Sequence, residues 1–135
     1  MSQQNIDLVR SAYEAYNRRD PEAVLASFDP AIDWHTPDSL AWGAHVSGIE
    51  AVAQFFQELQ PYMGDRHEVV IDELLDAGDR VVAIVRHIGV APGGSDYDVP
   101  SIMVWTAADG KLAAMYEQLD TLAMARATEG ATQVA

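Results

Sequence analysis

A chain of 135 residues with 49% hydrophobic side chains suits one compact domain with a buried core, and argues against a disordered polypeptide. Its 8 Lys+Arg against 21 Asp+Glu leave a formal charge of −13, with Arg18-Arg19 the only basic pair, which argues against nucleic-acid backbones and anionic membrane surfaces as partners. Cysteine is absent, which removes disulfides, thiolate catalysis and Cys-based zinc sites, and no stretch approaches the roughly 18 apolar residues of a membrane span.

Met1 to Arg10 has no basic flank followed by an apolar run, so no signal peptide is expected and a cytoplasmic setting is. From Ile6 to Asn17, Ile6, Val9, Tyr13 and Tyr16 recur three or four apart, which predicts a helix. Asp20-Pro21-Glu22 reads as the start of a second: a capping carboxylate, a proline in the first turn and an acid at the positive end of the helix dipole. Val24, Leu25 and Phe28 give it a buried face, and Asp29-Pro30 ends it. A short strand over Ile32 to His35 and an irregular stretch from Thr36 to Val46 follow. Ser47-Gly48-Ile49-Glu50 matches a capping box, with Ile49, Val52, Phe55, Phe56 and Leu59 at helical spacing behind it and Pro61 closing the helix.

Beyond His67 the pattern becomes extended. His67 to Leu75 and Arg80 to Val90 are rich in β-branched residues and joined by Asp76-Ala77-Gly78-Asp79, a hairpin signal. Tyr97 to Thr106 and Lys111 to Gln118 continue the run through turns at Pro92-Gly93-Gly94 and Ala108-Asp109-Gly110. Asp120 is placed to cap a last short helix through Arg126, and the polar tail from Thr128 is expected to fray. Helices segregated from an antiparallel meander mean α+β, with the helices on one face of a curved sheet. Residues 1–135 read as one domain with its core over about 6–127.

That order resembles the nuclear transport factor 2-like superfamily, and within it the SnoaL-like and ketosteroid-isomerase-related proteins. The residues carrying the likeness are the tyrosines of the first helix, Asp20, Phe28-Asp29-Pro30-Ala31-Ile32-Asp33-Trp34 and Trp42-Gly43. They continue with Gly48-Ile49-Glu50-Ala51-Val52 leading to Phe55-Phe56, then Asp109-Gly110-Lys111-Leu112 and Asp120. The resemblance implies a cone-shaped, strongly curved antiparallel sheet (an NTF2-like or cystatin-like roll) with three N-terminal helices packed over an apolar cavity. It also implies a small hydrophobic ligand and a homodimer through the outer sheet face. The superfamily spreads isomerases, cyclases, dehydratases and binders over one scaffold, so function has to be read from the site.

Steroid-isomerase relatives carry a proton-shuttling Asp before a proline; here Thr36 precedes Pro37, with His35 and Asp38 as neighbouring substitutes. Tyr13 or Tyr16 would polarise a substrate oxygen, while Ile102 stands where those relatives have a second acid. SnoaL-like cyclases place a catalytic Asp where Asp120 lies, although Asp120 reads equally well as a helix cap. Strand periodicity adds a pair: His87 shares a face with Val85 and Gly89, and Glu117 with Ala113, Met115 and Leu119. If those faces line the cavity, His87 and Glu117 form an acid–base couple in apolar surroundings; in the opposite phase both face solvent or a partner. By the same parity Asp98 travels with Pro100 and Ile102. Trp34 and Trp42, with Met115 and Ile102, complete the expected ligand surround.

The four histidines show no metal-ligand spacing, and neither a nucleotide-binding loop nor a nucleophile elbow is present, so no metal and no cofactor are expected. The function expected is binding of a small hydrophobic molecule, with cofactor-free acid–base isomerisation, cyclisation or dehydration of a carbonyl or polyketide-like compound. Asp120, His87, Glu117 and His35 are the proton-handling candidates. A non-catalytic binding or assembly module is the alternative.

Overall fold

The computed structural model describes residues 2–129. Its elements run α1 (Ser2–Asn17), α2 (Pro21–Ala26), β1 (Phe28–His35), β2 (His45–Ser47), α3 (Ile49–Met63), β3 (Glu68–Ala77), β4 (Arg80–Val90), β5 (Asp96–Ala108), β6 (Lys111–Leu119) and α4 (Thr121–Ala127). The six strands form one sheet in the order β2-β1-β6-β5-β4-β3. From β3 to β6 it is the expected antiparallel meander, but β1 lies parallel to β6, so the sheet is mixed. Register shifts between Ile71 and Glu73, between Thr106 and Ala107 and between Phe28 and Asp33 break the ladders and bend the sheet around the helices. Among the described residues no helix is long and apolar enough to cross a membrane.

The core lies between the concave face and α1, α3 and α4. Val9, Val52 and Met124 come from the helices, and Ile32, Val81, Val85, Leu112 and Met115 from the strands; all are fully buried. Alternation along β5 is complete: Val99, Ser101, Met103 and Trp105 are buried while Asp98, Pro100 and Ile102 are exposed. The concave face is thus set by the two-residue period of the strands.

Several boundaries differ from expectation for physical reasons. Phe28 opens β1 rather than closing α2, and its ring packs at 5.7 Å from that of Trp34. Ser47 does not cap α3. It lies in β2 opposite Asp33, and its hydroxyl donates to Asp33 Oδ1 at 3.2 Å, leaving Gly48 as an N-cap without a side-chain bond. Pro61 sits inside α3, which runs on to Met63 and stops at Gly64 (φ 81°). Asp20 and Asp120 do cap α2 and α4, accepting from the backbone N–H of Ala23 and Ala123 at 3.1 and 3.0 Å. Thr128 is packed, with its hydroxyl donating to the Met124 carbonyl at 2.9 Å; residues 130–135 of the expected tail lie outside the described residues.

One glycine bears on the site. A Cβ on Gly89 would stand 2.4 Å from the Tyr97 hydroxyl, so only glycine leaves the room through which Tyr97 donates to the Met63 carbonyl at 2.6 Å. That bond ties β5 to the C-terminal end of α3.

Candidate active site

The helices and the concave face enclose a cavity of about 60 Å³. Its wall is mainly aromatic and aliphatic: Tyr13 and Tyr16 from α1, Trp34 from β1, Phe55 and Phe56 from α3, Trp105 from β5. Their rings stack edge-on or tilted, with Trp34 within 5.8 Å of Phe55, Phe56 and Trp105. Into this wall the sheet sets three ionisable side chains: His67 just before β3, His87 on β4 and Glu117 on β6. They are 5%, 7% and 7% exposed.

These three form one hydrogen-bonded series with their neighbours. Tyr16 Oη lies 2.6 Å from His67 Nδ1, His67 Nε2 lies 2.9 Å from His87 Nδ1, and His87 Nε2 lies 2.6 Å from Glu117 Oε2. The Ser101 hydroxyl donates to the same Glu117 oxygen at 2.8 Å. With Glu117 ionised and both imidazoles neutral the donor and acceptor roles follow, since a carboxylate only accepts. His87 then carries its proton on Nε2 and accepts on Nδ1; His67 donates from Nε2 and accepts on Nδ1; Tyr16 donates. Every group is satisfied with both imidazoles neutral.

The surroundings of His67 and Tyr16 favour their neutral forms. Burial, together with His87 and the Arg19 guanidinium, holds His67 well below the usual imidazole range. Burial pushes the Tyr16 hydroxyl up to about 12, and raises Tyr13 and Tyr97 in the same direction. Arg19 also anchors the backbone behind His67, donating to the His67 and Asp65 carbonyls at 2.7 and 2.9 Å. Tyr13 is committed elsewhere: it accepts from the Trp105 indole at 2.9 Å and donates to Met103 Sδ at 3.1 Å.

The structure therefore brings together His87, Glu117, Tyr13, Tyr16, Trp34 and Trp42 around one cavity. Other candidates lie elsewhere. Asp120 is exposed, with its carboxylate spent on the α4 N-terminus. His35 neighbours Trp34 on β1 and so takes the opposite face, where its ring stacks on His45 at 4.7 Å and meets Tyr116 edge-on at 4.9 Å. Asp38 is exposed in the loop after β1, and Ile102 is on the outer sheet face. Asp98 is also outside, paired with Arg86 at 2.9 Å. Met115 is fully buried, but in the core beside the cavity rather than in its wall. Thr36, where steroid-isomerase relatives hold their base, accepts the Ala44 N–H on its hydroxyl at 2.9 Å and closes the loop to β2.

Two members of the series were not singled out from sequence, His67 and Ser101. Both obey the same two-residue rule: His67 stands two residues before buried Val69, and Ser101 two before buried Met103.

A bent sheet and overlying helices around an aromatic cavity with buried acid–base groups define a cavity protein of the nuclear transport factor 2-like fold. The chain belongs to the SnoaL-like domain family, whose model matches residues 9–115. Solved structures agree. Bal32a, from a soil-derived mobile gene cassette, is 27% identical over 94% of this chain and 98% of its own, with a TM-score of 0.86. An NTF2-like protein of unknown function from Burkholderia pseudomallei is 26% identical over 93% and 97%, with a TM-score of 0.83. A candidate SnoaL-like polyketide cyclase from a Jannaschia species is 26% identical over 94% and 92%, with a TM-score of 0.75. No protein with a curated description matches the chain.

Proposed function

We propose that the protein binds a small, largely apolar carbonyl compound in this cavity and moves a proton on it, with His87 and Glu117 as the acid–base couple. The observation that carries this reading is the 2.6 Å His87–Glu117 contact set into an otherwise aromatic wall. Burying a carboxylate against an imidazole costs desolvation that an apolar pair of similar volume would avoid, so its presence calls for a use. Glu117 Oε2 is held by His87 and Ser101, which leaves Oε1 to take a proton from a carbon beside the carbonyl. The nearness of a candidate polyketide cyclase supports the substrate class.

At about 60 Å³ the cavity accommodates fewer atoms than an engineered cavity of ~150 Å³ that takes up benzene. A polyketide-sized ligand therefore has to displace wall side chains; Trp42 and Phe56, only half-buried, are placed to move.

The test is enolisation in heavy water. With small aryl ketones as probes, binding is followed by the fluorescence of the wall tryptophans and exchange of the protons beside the carbonyl by NMR. Wild-type protein should accelerate exchange, and Glu117→Gln should reduce it by about 10²–10⁴-fold with affinity nearly unchanged. Binding without exchange above buffer would leave carriage of the ligand as the function. The tight commitment of Tyr13 to Trp105 and Met103 favours that second reading, because it leaves this hydroxyl unavailable to a substrate oxygen.

The outer sheet face is the proposed site of homodimerisation, since Ile102 and Tyr116 stand there 47% and 44% exposed. Light scattering at micromolar concentration should give twice the mass of one chain; a single-chain mass would remove the proposal.

A further inference from the structure

The hydrogen-bonded series does not end inside the cavity. Tyr16 and His67 also line a second depression of about 190 Å³, bounded by the exposed residues Arg19, Gln60 and Asp65. These two side chains are thus shared between the inner cavity and the protein surface, while Glu117 lines only the cavity. We propose that Tyr16, His67 and His87 are a proton wire from this depression to Glu117. The wire sets the charge of Glu117 from outside while a ligand fills the cavity and blocks water from that side. The proposal rests on Glu117 acting as the proton-handling group.

The series has two fully satisfied states that differ by one proton. In the first, Glu117 is a carboxylate and every hydrogen bond points inward, from Tyr16 to His67 to His87 to Glu117. In the second, Glu117 carries a proton and donates to His87 Nε2, His87 Nδ1 donates to His67 Nε2, His67 Nδ1 donates to Tyr16 Oη, and the Tyr16 proton turns to water in the depression. Passing from first to second, the bonds broken are Tyr16 O–H, His67 Nε2–H and His87 Nε2–H. The bonds formed are His67 Nδ1–H, His87 Nδ1–H and Glu117 O–H, and Tyr16 regains a proton from outer water. One proton enters, and only Glu117 changes charge. Both imidazoles and the phenol are neutral in each end state, which the burial of His67 and Tyr16 favours for those two.

The charged and titratable groups facing the wire are Arg19 beside His67, Asp20 and Asp65 in the depression, Tyr13 on α1 and Tyr97 on β5. Tyr13 and Tyr97 have their hydroxyls committed to Met103 and to the Met63 carbonyl, so neither offers a branch. Tyr16 and His67 are positioning and relay residues; they need not touch the substrate.

The experiment reads histidine side chains by nitrogen NMR on the ligand-free protein. With Glu117 ionised, both His67 and His87 should carry their proton on Nε2. As Glu117 gains its proton, both should switch together to Nδ1; rings that titrate independently, or a ring on Nδ1 while Glu117 is ionised, would overturn the proposal. His67→Gln keeps a donor toward His87 but cannot take a proton at one end and release another at the other. Exchange of the His87 Nε2 proton with water should slow by roughly tenfold or more in this variant. Unchanged exchange in a folded His67→Gln protein would overturn the wire. Tyr16→Phe, which cuts the outer end, serves the same reading should that variant not fold. None of these readouts needs turnover, so the wire and the proposed reaction can fail separately.

Discussion

The molecule contains two stacked histidine pairs on opposite sides of one sheet. Inside, His67 and His87 stack with ring centroids 5.1 Å apart and planes at 25°, joined by a 2.9 Å hydrogen bond. Outside, His35 and His45 stack at 4.7 Å and 11°, and His45 Nε2 lies 3.2 Å from Asp33 on the exposed β1–β2 hairpin. The residue types match, but the solvent does not. Water solvates and screens the outer pair, so His45 gains little from Asp33 and loses little without it. The inner pair has no water to fall back on, so each ring nitrogen must find a protein partner and each proton has an assigned place.

Breaking each pair should expose that difference, and the largest effect is expected at Glu117. Glu117→Ala strands the His87 and Ser101 donors in the interior and should destabilise the fold by about 1–3 kcal/mol for each group left unsatisfied, read in denaturant unfolding. Acidification comes next. His67 titrates below its ordinary value of 6.5 when folded, so the unfolded chain binds the proton first. Unfolding free energy should therefore hold above that pH and fall as pH drops from it toward the lowered folded value, and His67→Gln should flatten the fall. Tyr16 gives the opposite limb: its folded hydroxyl titrates near 12 against 10.0 ordinarily, so stability should decline between those values as pH rises, and less steeply in Tyr16→Phe. Asp120→Ala removes only a helix cap, for a loss of about 1 kcal/mol, with affinity for aryl ketones unchanged. His45→Ala, outside, should stay within about 0.5 kcal/mol of wild type. A larger loss at His45 than at Glu117 would reverse the comparison.

The same contrast governs what the sequence could reveal. The architecture was legible because helices and strands write different periods: Ile6, Val9 and Tyr13 at helical spacing, Met103 and Trp105 against Ile102 at strand spacing. The period also placed His87 and Glu117 on candidate inward faces, but alternation alone does not say which of two faces is concave. Bulk decides that at β1, where Trp34 takes the interior and sends His35 out. His67 escaped notice although it opens an expected strand, because that strand is marked by its β-branched residues, and Ser101 because a serine in a strand carries no signal of its own. Asp120 fitted two roles by local pattern, and Ser47 fitted a cap that it does not supply. The α4 terminus claimed Asp120, and pairing with β1 claimed Ser47, which no short window of sequence contains.

The tether between Tyr97 and Met63 makes α3 a fixed wall. Its far end is pinned to β5 through a hydroxyl that fits only because Gly89 has no side chain, while its near end is held through the backbone, the Gly48 N–H donating to the Ile32 carbonyl at 2.8 Å beside the β1–β2 pairing. A ligand too large for the cavity would find both ends of this wall held. Enlargement would then fall to side chains on the wall, Phe56 among them, with the helix axis in place. The size of molecule the protein admits would be governed by how far those side chains turn within a fixed frame.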